Sequence, residues 1–167
     1  MLDIFKIQKL SQLSFKDKTG LSLYPWKNCK PRQSSAPSKP LSECKAAIVS
    51  SAGLYVRDLH EKFDHKVRGG DYTYRIISHD ANLKYLADGQ RSKSYDHSGI
   101  RQDPSTGMPI PQLNRLAEEG FIGRVNHRHF SVMGSILAPM RFIKNTIPEI
   151  VQHMKEDRVD VVLLIPF

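Results

Sequence analysis

Two stretches of the chain are apolar enough to be buried strands. Ala46-Ala47-Ile48-Val49-Ser50 is short and β-branched and runs into the small-residue turn Ser51-Ala52-Gly53, while Val159-Asp160-Val161-Val162-Leu163-Leu164-Ile165 is nearly continuous. Runs of this kind lie in parallel sheets, covered on both faces. Tyr72 to Ile77 has the aromatic and β-branched content of another strand, and residues 124 to 132 alternate with polar positions before the exit turn Met133-Gly134-Ser135. Helical spacing appears at Leu113, Leu116 and Ala117, opened by Pro111 and closed by Gly120. A longer helix is predicted from about Pro139 to Asp157, with Ile143, Ile147, Ile150 and Met154 on one buried face. Within it Pro148 either kinks the helix or sits in a first turn that Thr146-x-x-Glu149 restarts as a capping box. Asp80 is expected to cap a short helix through Leu86, stopped by Gly89, and residues 88 to 110 form a long polar loop over the domain.

These elements predict an α/β fold of three layers with a mainly parallel sheet. The strands at Ala46–Ser50, Val125–Ser131 and Val159–Ile165 should lie side by side and parallel, because the intervening helices supply crossover length. A buried final strand followed only by Pro166-Phe167 makes the domain look incomplete at its C-terminus. The alternative is a small complete module ending on an edge strand.

Composition changes the picture before Leu41. Residues 1–40 hold eight Lys or Arg against two Asp, whereas the other residues hold 17 basic and 15 acidic groups. The net charge of +8 therefore belongs mostly to this arm, which carries Pro25, Pro31, Pro37 and Pro40 and reads as an extended linker. Apolar Leu2, Phe5, Leu10 and Leu13 mark a marginal helix ended by Gly20. We divide the chain into a basic arm, 1–40, and an α/β domain, 41–167. No aromatic-rich basic patch argues for nucleic acid, and no run of about 18 apolar residues argues for a membrane span. Asp3, Lys6 and Lys9 interrupt any secretory h-region. Cys29 and Cys44 form no disulfide framework or Cys-x-x-Cys motif, which fits a reducing cytoplasm.

The candidate chemistry lies in the second half. His127 and His129, two apart on a strand, should point to one face with Arg128 on the other, in acid/base or substrate-orienting roles. A metal would need a third ligand such as His97 or Asp96, a weaker reading. Arg75 and Arg101 are candidates for a substrate carboxylate, with surface ion pairing as the plain alternative. Gly69-Gly70 is either an anion-binding turn or a turn alone. Ligands of open α/β sheets bind beyond the carboxyl ends of the strands. His127 or His129, the turn containing Ser51 and Gly53, the exit turn at Met133 and Gly134, and Phe167 should therefore converge there, under the loop bearing Asp96 and His97.

Several motifs in order carry a resemblance. Val67 through Arg75, Tyr95-Asp96-His97-Ser98-Gly99-Ile100-Arg101, Leu113 through Gly120 and Val125 through Ser135 resemble the selenoprotein B family of glycine, sarcosine, betaine and D-proline reductases, over about residues 39 to 167. The resemblance implies a selenolate or thiolate that attacks the carbon bearing an amino group, breaking C–N, with a nearby thiol closing a bond that a dithiol or thioredoxin-type reductant reopens. It places the selenocysteine or cysteine just beyond Phe167, so this chain carries no cofactor of its own and is expected to be an inactive amino-terminal part. The implied partners are an amino-acid or betaine-like substrate and other reductase subunits, one bearing a pyruvoyl group in the D-proline enzymes. The competing function is a non-redox binding or metal-dependent module built on His127 and His129.

Overall fold

The computed structural model describes residues 14–23, 36–90 and 97–167. Its backbone divides into two units, Met1–Ser35 and Ala36–Phe167. In the first, helix α1 spans Phe15–Leu23, continuing through Gly20, where the sequence pattern expected it to end, and Thr19 Oγ1 donates to the Phe15 carbonyl at 2.8 Å. The sequence expectations for residues 1–13 and for 24–35 lie outside the described residues.

The second unit is organised around one sheet. Strand β1 (Lys45–Ser50) lies at its centre, β3 (Tyr74–Ser78) at one side, and β7 (Val161–Ile165) at the other. Between β1 and β3 runs a broken strand, β5 (Arg124–Val125) and β6 (Arg128–Val132). β1 pairs in parallel with β5 at Lys45 and Ala46, with β6 at Val49 and Ser50, and with β7 from Ala46↔Val161 to Ser50↔Ile165. Only β3 is antiparallel, to β6. The three apolar strands thus lie side by side in the expected direction. A separate antiparallel pair joins β2 (Leu54–Val56) to β4 (Leu86–Asp88).

Strand alternation sorts the core into two layers. Ala46, Ile48 and Ile77 pack with Leu54, Leu86, Ile100 of helix α2 (His97–Gln102), and Ile110 and Leu113 of α3 (Ile110–Glu118). Phe130 and Val132 face the other way, onto Ile150 of α4 (Ile147–Glu156), with Val49, Tyr74, Phe142 and Met154 around them. The sheet therefore sits between two layers, as an α/β protein requires. Burying Phe130 and Ile48 completely is worth about 1.5–3 kcal/mol each.

Some local expectations give way to tertiary contacts. The segment after Asp80 forms a 3₁₀ turn, Leu83–Tyr85, that Asn82 caps by accepting from the Lys84 N–H at 3.0 Å, and then strand β4 rather than a helix. Thr146 makes no capping box; it is buried, and its hydroxyl donates to the Tyr72 carbonyl. The helix runs on through a π-turn at Phe142–Thr146, with Pro148 in the first turn of α4. Thr146 and Ile150 face inward, while Ile143 and Ile147 are exposed, because the π-turn rotates the apolar stripe away from its expected register. β7 is not covered on both faces: Leu164 is 68% exposed, and among the described residues β7 pairs with β1 alone, at the edge of the sheet. Residues 97–106, expected as loop, hold α2 and a 3₁₀ turn, Pro104–Thr106, capped by Asp103.

Candidate functional site at the carboxyl edge of the sheet

β1, β6 and β7 run in one direction, so the residues that leave them meet at one edge. The Ser51 N–H donates to the Ile165 carbonyl at 3.0 Å, extending the β1–β7 ladder. One step further, the Phe167 N–H donates to Ser51 Oγ at 2.9 Å, and that hydroxyl donates to the Phe167 oxygen at 3.3 Å. From β6, Met133 bridges Ala52, and the Gly53 N–H donates to the Val132 carbonyl at 3.0 Å. Gly53 has φ +65°, and a Cβ there would lie 3.3 Å from Met133 Sδ. At Gly134 a Cβ would meet Gln90 Nε2 at 2.9 Å, the Ser51 oxygen at 3.0 Å and the Phe167 oxygen at 3.1 Å. Only a bare backbone lets these three segments close together.

Beside this junction lies a cavity of about 220 Å³. Its walls are the Asp64–Asp71 loop, Gln90, and the exit of β6 from Met133 to Leu137. Asp71 organises the loop: its carboxylate accepts from the Asp64 N–H at 2.6 Å, and from the Thr73 N–H and hydroxyl at 2.8 and 2.6 Å. Burial alone would raise this carboxyl, but the Thr73 and Asp64 hydrogen bonds and the charge of Arg75 hold it below its ordinary range, as an anion. Gly70 donates its N–H to the Val67 carbonyl, and a Cβ on Gly69 would stand 2.5 Å from Ala138 Cβ. The glycine pair is therefore a turn packed on the β6 exit, with the Gly70 N–H already engaged. His65 donates Nε2–H to the Gly89 carbonyl at 3.1 Å, which fixes its tautomer. The lining combines two carboxylates, an imidazole, a carboxamide and the Ser135 hydroxyl with apolar Met133 and Leu137, and among the described residues includes no Lys or Arg.

The expected site residues fall into three groups. Ser51, Gly53, Met133 and Gly134 come together at this edge. His97 and Arg101 approach it indirectly: His97 Nδ1 contacts Asp88 Oδ2 at 2.5 Å, Arg101 Nε lies 3.5 Å from the same oxygen, and Asp88 Oδ1 accepts the N–H of cavity-lining Gln90 at 2.9 Å. Asp96 lies outside the described residues. Arg75 is turned inward, donating to the Glu61 and Lys62 carbonyls at 2.8 and 3.1 Å and stacking over Phe63 at 4.3 Å. It closes a loop, and its hydrogen-bonding fork is occupied.

His127 and His129 do not form a pair on a common face. The strand breaks at Asn126-His127, where buried Asn126 donates Nδ2 to Asp157 Oδ2 at 2.8 Å, displacing the backbone from regular alternation. His127 is 63% exposed and lies 3.8 Å from Asp157, the residue after α4, away from the carboxyl edge. His129 is fully buried, and its Nδ1 accepts the Ile48 N–H at 3.1 Å, filling the gap that the break leaves in the β1 ladder. Burial, then the charges of His79 and His127, lower its pKa to about 4, so it is neutral at ordinary pH. Arg128 grips Asp157 with Nε at 2.6 Å and a terminal nitrogen at 2.8 Å. Among the described residues no group of three His, Cys, Asp or Glu is placed to hold a metal.

Sequence reasoning missed Asp64, His65, Gln90 and Ser135 as cavity residues. They come from aperiodic loops, and the one available signal was the Gly69-Gly70-Asp71 turn leading into a strand.

The sheet is open and mostly parallel, and its polar cavity lies beyond the strand ends, where ligands of open α/β sheets bind. The chain belongs to the glycine/sarcosine/betaine reductase selenoprotein B family, whose sequence profile matches residues 4–166. It is also 31% identical, over 128 residues, to the D-proline reductase subunit gamma of Acetoanaerobium sticklandii. That alignment covers 76% of this chain and 50% of the relative, so the chain spans about half the length of the curated relative it matches. No solved structure matches it. Among the described residues no helix is long and apolar enough to cross a membrane.

Proposed function

We propose that this domain forms the substrate-binding edge of a reductase that cleaves the C–N bond of a small amino acid or betaine-like compound. The observation that carries this reading is the meeting of Ser51, Gly53, Met133 and Gly134 with Phe167 beside the cavity, within a chain of the selenoprotein B family. The redox residue is proposed to follow Phe167, at the end of β7 where Gly134, Ser51 and Gln90 close around the Phe167 backbone. When present, the selenol or thiol supplies the nucleophile, and a dithiol supplies two electrons as the C–N bond is replaced by C–H and N–H bonds and the dithiol becomes a disulfide.

The chain's own residues divide the remaining work. Asp64 and Asp71 give the cavity a negative field that suits a cationic amino group, and Met133 and Leu137 suit its methyl or methylene carbons. Arg101, exposed and only 3.5 Å from Asp88, is assigned to the substrate carboxylate. His65, the imidazole in the cavity wall, is assigned the proton for the departing amine in place of His127 and His129, giving it from Nδ1 of the doubly protonated ring while Nε2–H stays on the Gly89 carbonyl. Partner reductase subunits, a dithiol or thioredoxin-type donor, and a cytoplasmic setting belong to the same proposal, as does the separation of arm 1–40 from domain 41–167.

The test compares the 167-residue chain with a version extended by selenocysteine or cysteine and the remaining half, assayed with partner subunits and dithiothreitol on glycine, sarcosine, betaine and D-proline. Amine release should require the extension. In the extended protein His65→Gln should slow turnover by about two to four orders of magnitude, and His127→Ala should leave it nearly unchanged. Turnover by the unextended chain would overturn the proposal.

A further inference from the structure

We infer that Ser51 is a positioning residue whose hydroxyl clasps Phe167 and thereby sets where the residue after β7 stands. The inference rests on the reading that the redox residue occupies that place. Backbone pairing cannot do this alone, because the ladder ends with the Ser51 N–H on the Ile165 carbonyl and the next residue, Pro166, has no N–H to offer. Beyond that point Ser51 Oγ accepts the Phe167 N–H at 2.9 Å and donates its own proton to the Phe167 oxygen at 3.3 Å. A hydroxyl can accept and donate at once, so one short side chain holds both polar groups of one residue.

The same residue is tied to the cavity wall. Its carbonyl accepts from Gln90 Nε2 at 3.5 Å, and a Cβ on Gly134 would lie 3.0 Å from that oxygen. Ser51 therefore links the end of β1, the end of β7 and the cavity-lining Gln90. Its side chain points at the backbone of Phe167, which separates this role from direct contact with substrate. A reacting atom carried on the next residue would keep its register with the cavity only while the clasp holds. Misplacement by about 1 Å is worth about 100-fold in rate.

Two measurements test the clasp. In the 167-residue chain, amide hydrogen exchange at Phe167 should quicken about tenfold in Ser51→Ala, the size expected for one lost hydrogen bond. It should return to the wild-type rate in Ser51→Thr, with the β1 amides of Ile48 and Val49 unchanged throughout. In the extended reductase Ser51→Ala should lower kcat about 100-fold with KM held within about twofold, and Ser51→Thr should restore kcat. Should Ser51→Ala fail to fold, Ser51→Cys, similar in size but a weak donor and acceptor, gives the same comparison. Unchanged exchange at Phe167, or an active extended enzyme whose kcat ignores Ser51→Ala, would overturn the inference. An extended protein inactive on every substrate would count against the proposed function, and the exchange measurement would still decide the clasp.

Discussion

Acidification should weaken the fold through His129, and the size of the effect follows from its place in the sheet. The ring is fully buried, accepts the Ile48 N–H on Nδ1, and takes a proton only at about pH 4. In the unfolded chain the same imidazole takes one near 6.5. Between those values the unfolded state binds more protons, so stability is full above the unfolded value and falls as pH drops toward the folded one. Each pH unit is worth about 1.4 kcal/mol, giving a loss of about 3 kcal/mol between about pH 7 and about pH 4. Urea unfolding of the 167-residue chain across that range measures it. His129→Asn isolates it, because an Asn carbonyl can still accept the Ile48 N–H without titrating. The variant should lose much less stability than the wild type over the same range, whatever its absolute stability. Equal slopes in the two proteins, or an NMR titration of the His129 ring near pH 6, would refute the argument.

Other substitutions probe the site and its frame. Gly134→Ala should cost about 1–3 kcal/mol by forcing apart Ser51, Gln90 and Phe167, with amide shifts at Ser51 and Phe167 reporting the movement. Asp157→Asn removes the anion that Arg128 grips and should lower the thermal midpoint by the equivalent of about 2–4 kcal/mol, with the effect shrinking on acidification as wild-type Asp157, held below its ordinary pKa chiefly by Arg128 against the pull of burial, takes a proton. Phe130→Ala should cost about 3–5 kcal/mol in urea unfolding, since it empties the layer beneath α4.

The parallel sheet was legible because β1 and β7 are apolar at nearly every position, which leaves few other structures for them. α3 was legible from Pro111 and Gly120, which punctuate it at both ends. The break at Asn126-His127 was not, because the run between Val125 and Phe130 is entirely polar and carries no apolar marker of facing; Asn126 turns inward onto the Asp157 carboxylate and the Arg128 carbonyl. That one displacement also undid the His127–His129 pairing. The π-turn at Phe142–Thr146 shifted the buried stripe of the last helix for a similar reason: Thr146 found the Tyr72 carbonyl, a contact far away in sequence. At the site, residues leaving strands were predictable from topology, as Ser51 and Gly134 illustrate. Asp64, His65 and Gln90 were not, since loops carry no period from which to infer their facing.

The central position of β1 has a consequence in time. Lys45, at its start, meets Asp160 across 115 residues of chain, and β5 and β6 are also made long after it. At synthesis rates of about 5–20 residues per second, β1 waits roughly 6 to 23 s for its last partner. During that interval Ala46 to Val49 emerge as an unpaired apolar template, able to pair with whatever strand is nearest. The strand that anchors the finished sheet is thus the segment most exposed to misassembly while the chain is being made, and the yield of folded protein should depend on how well that interval is guarded.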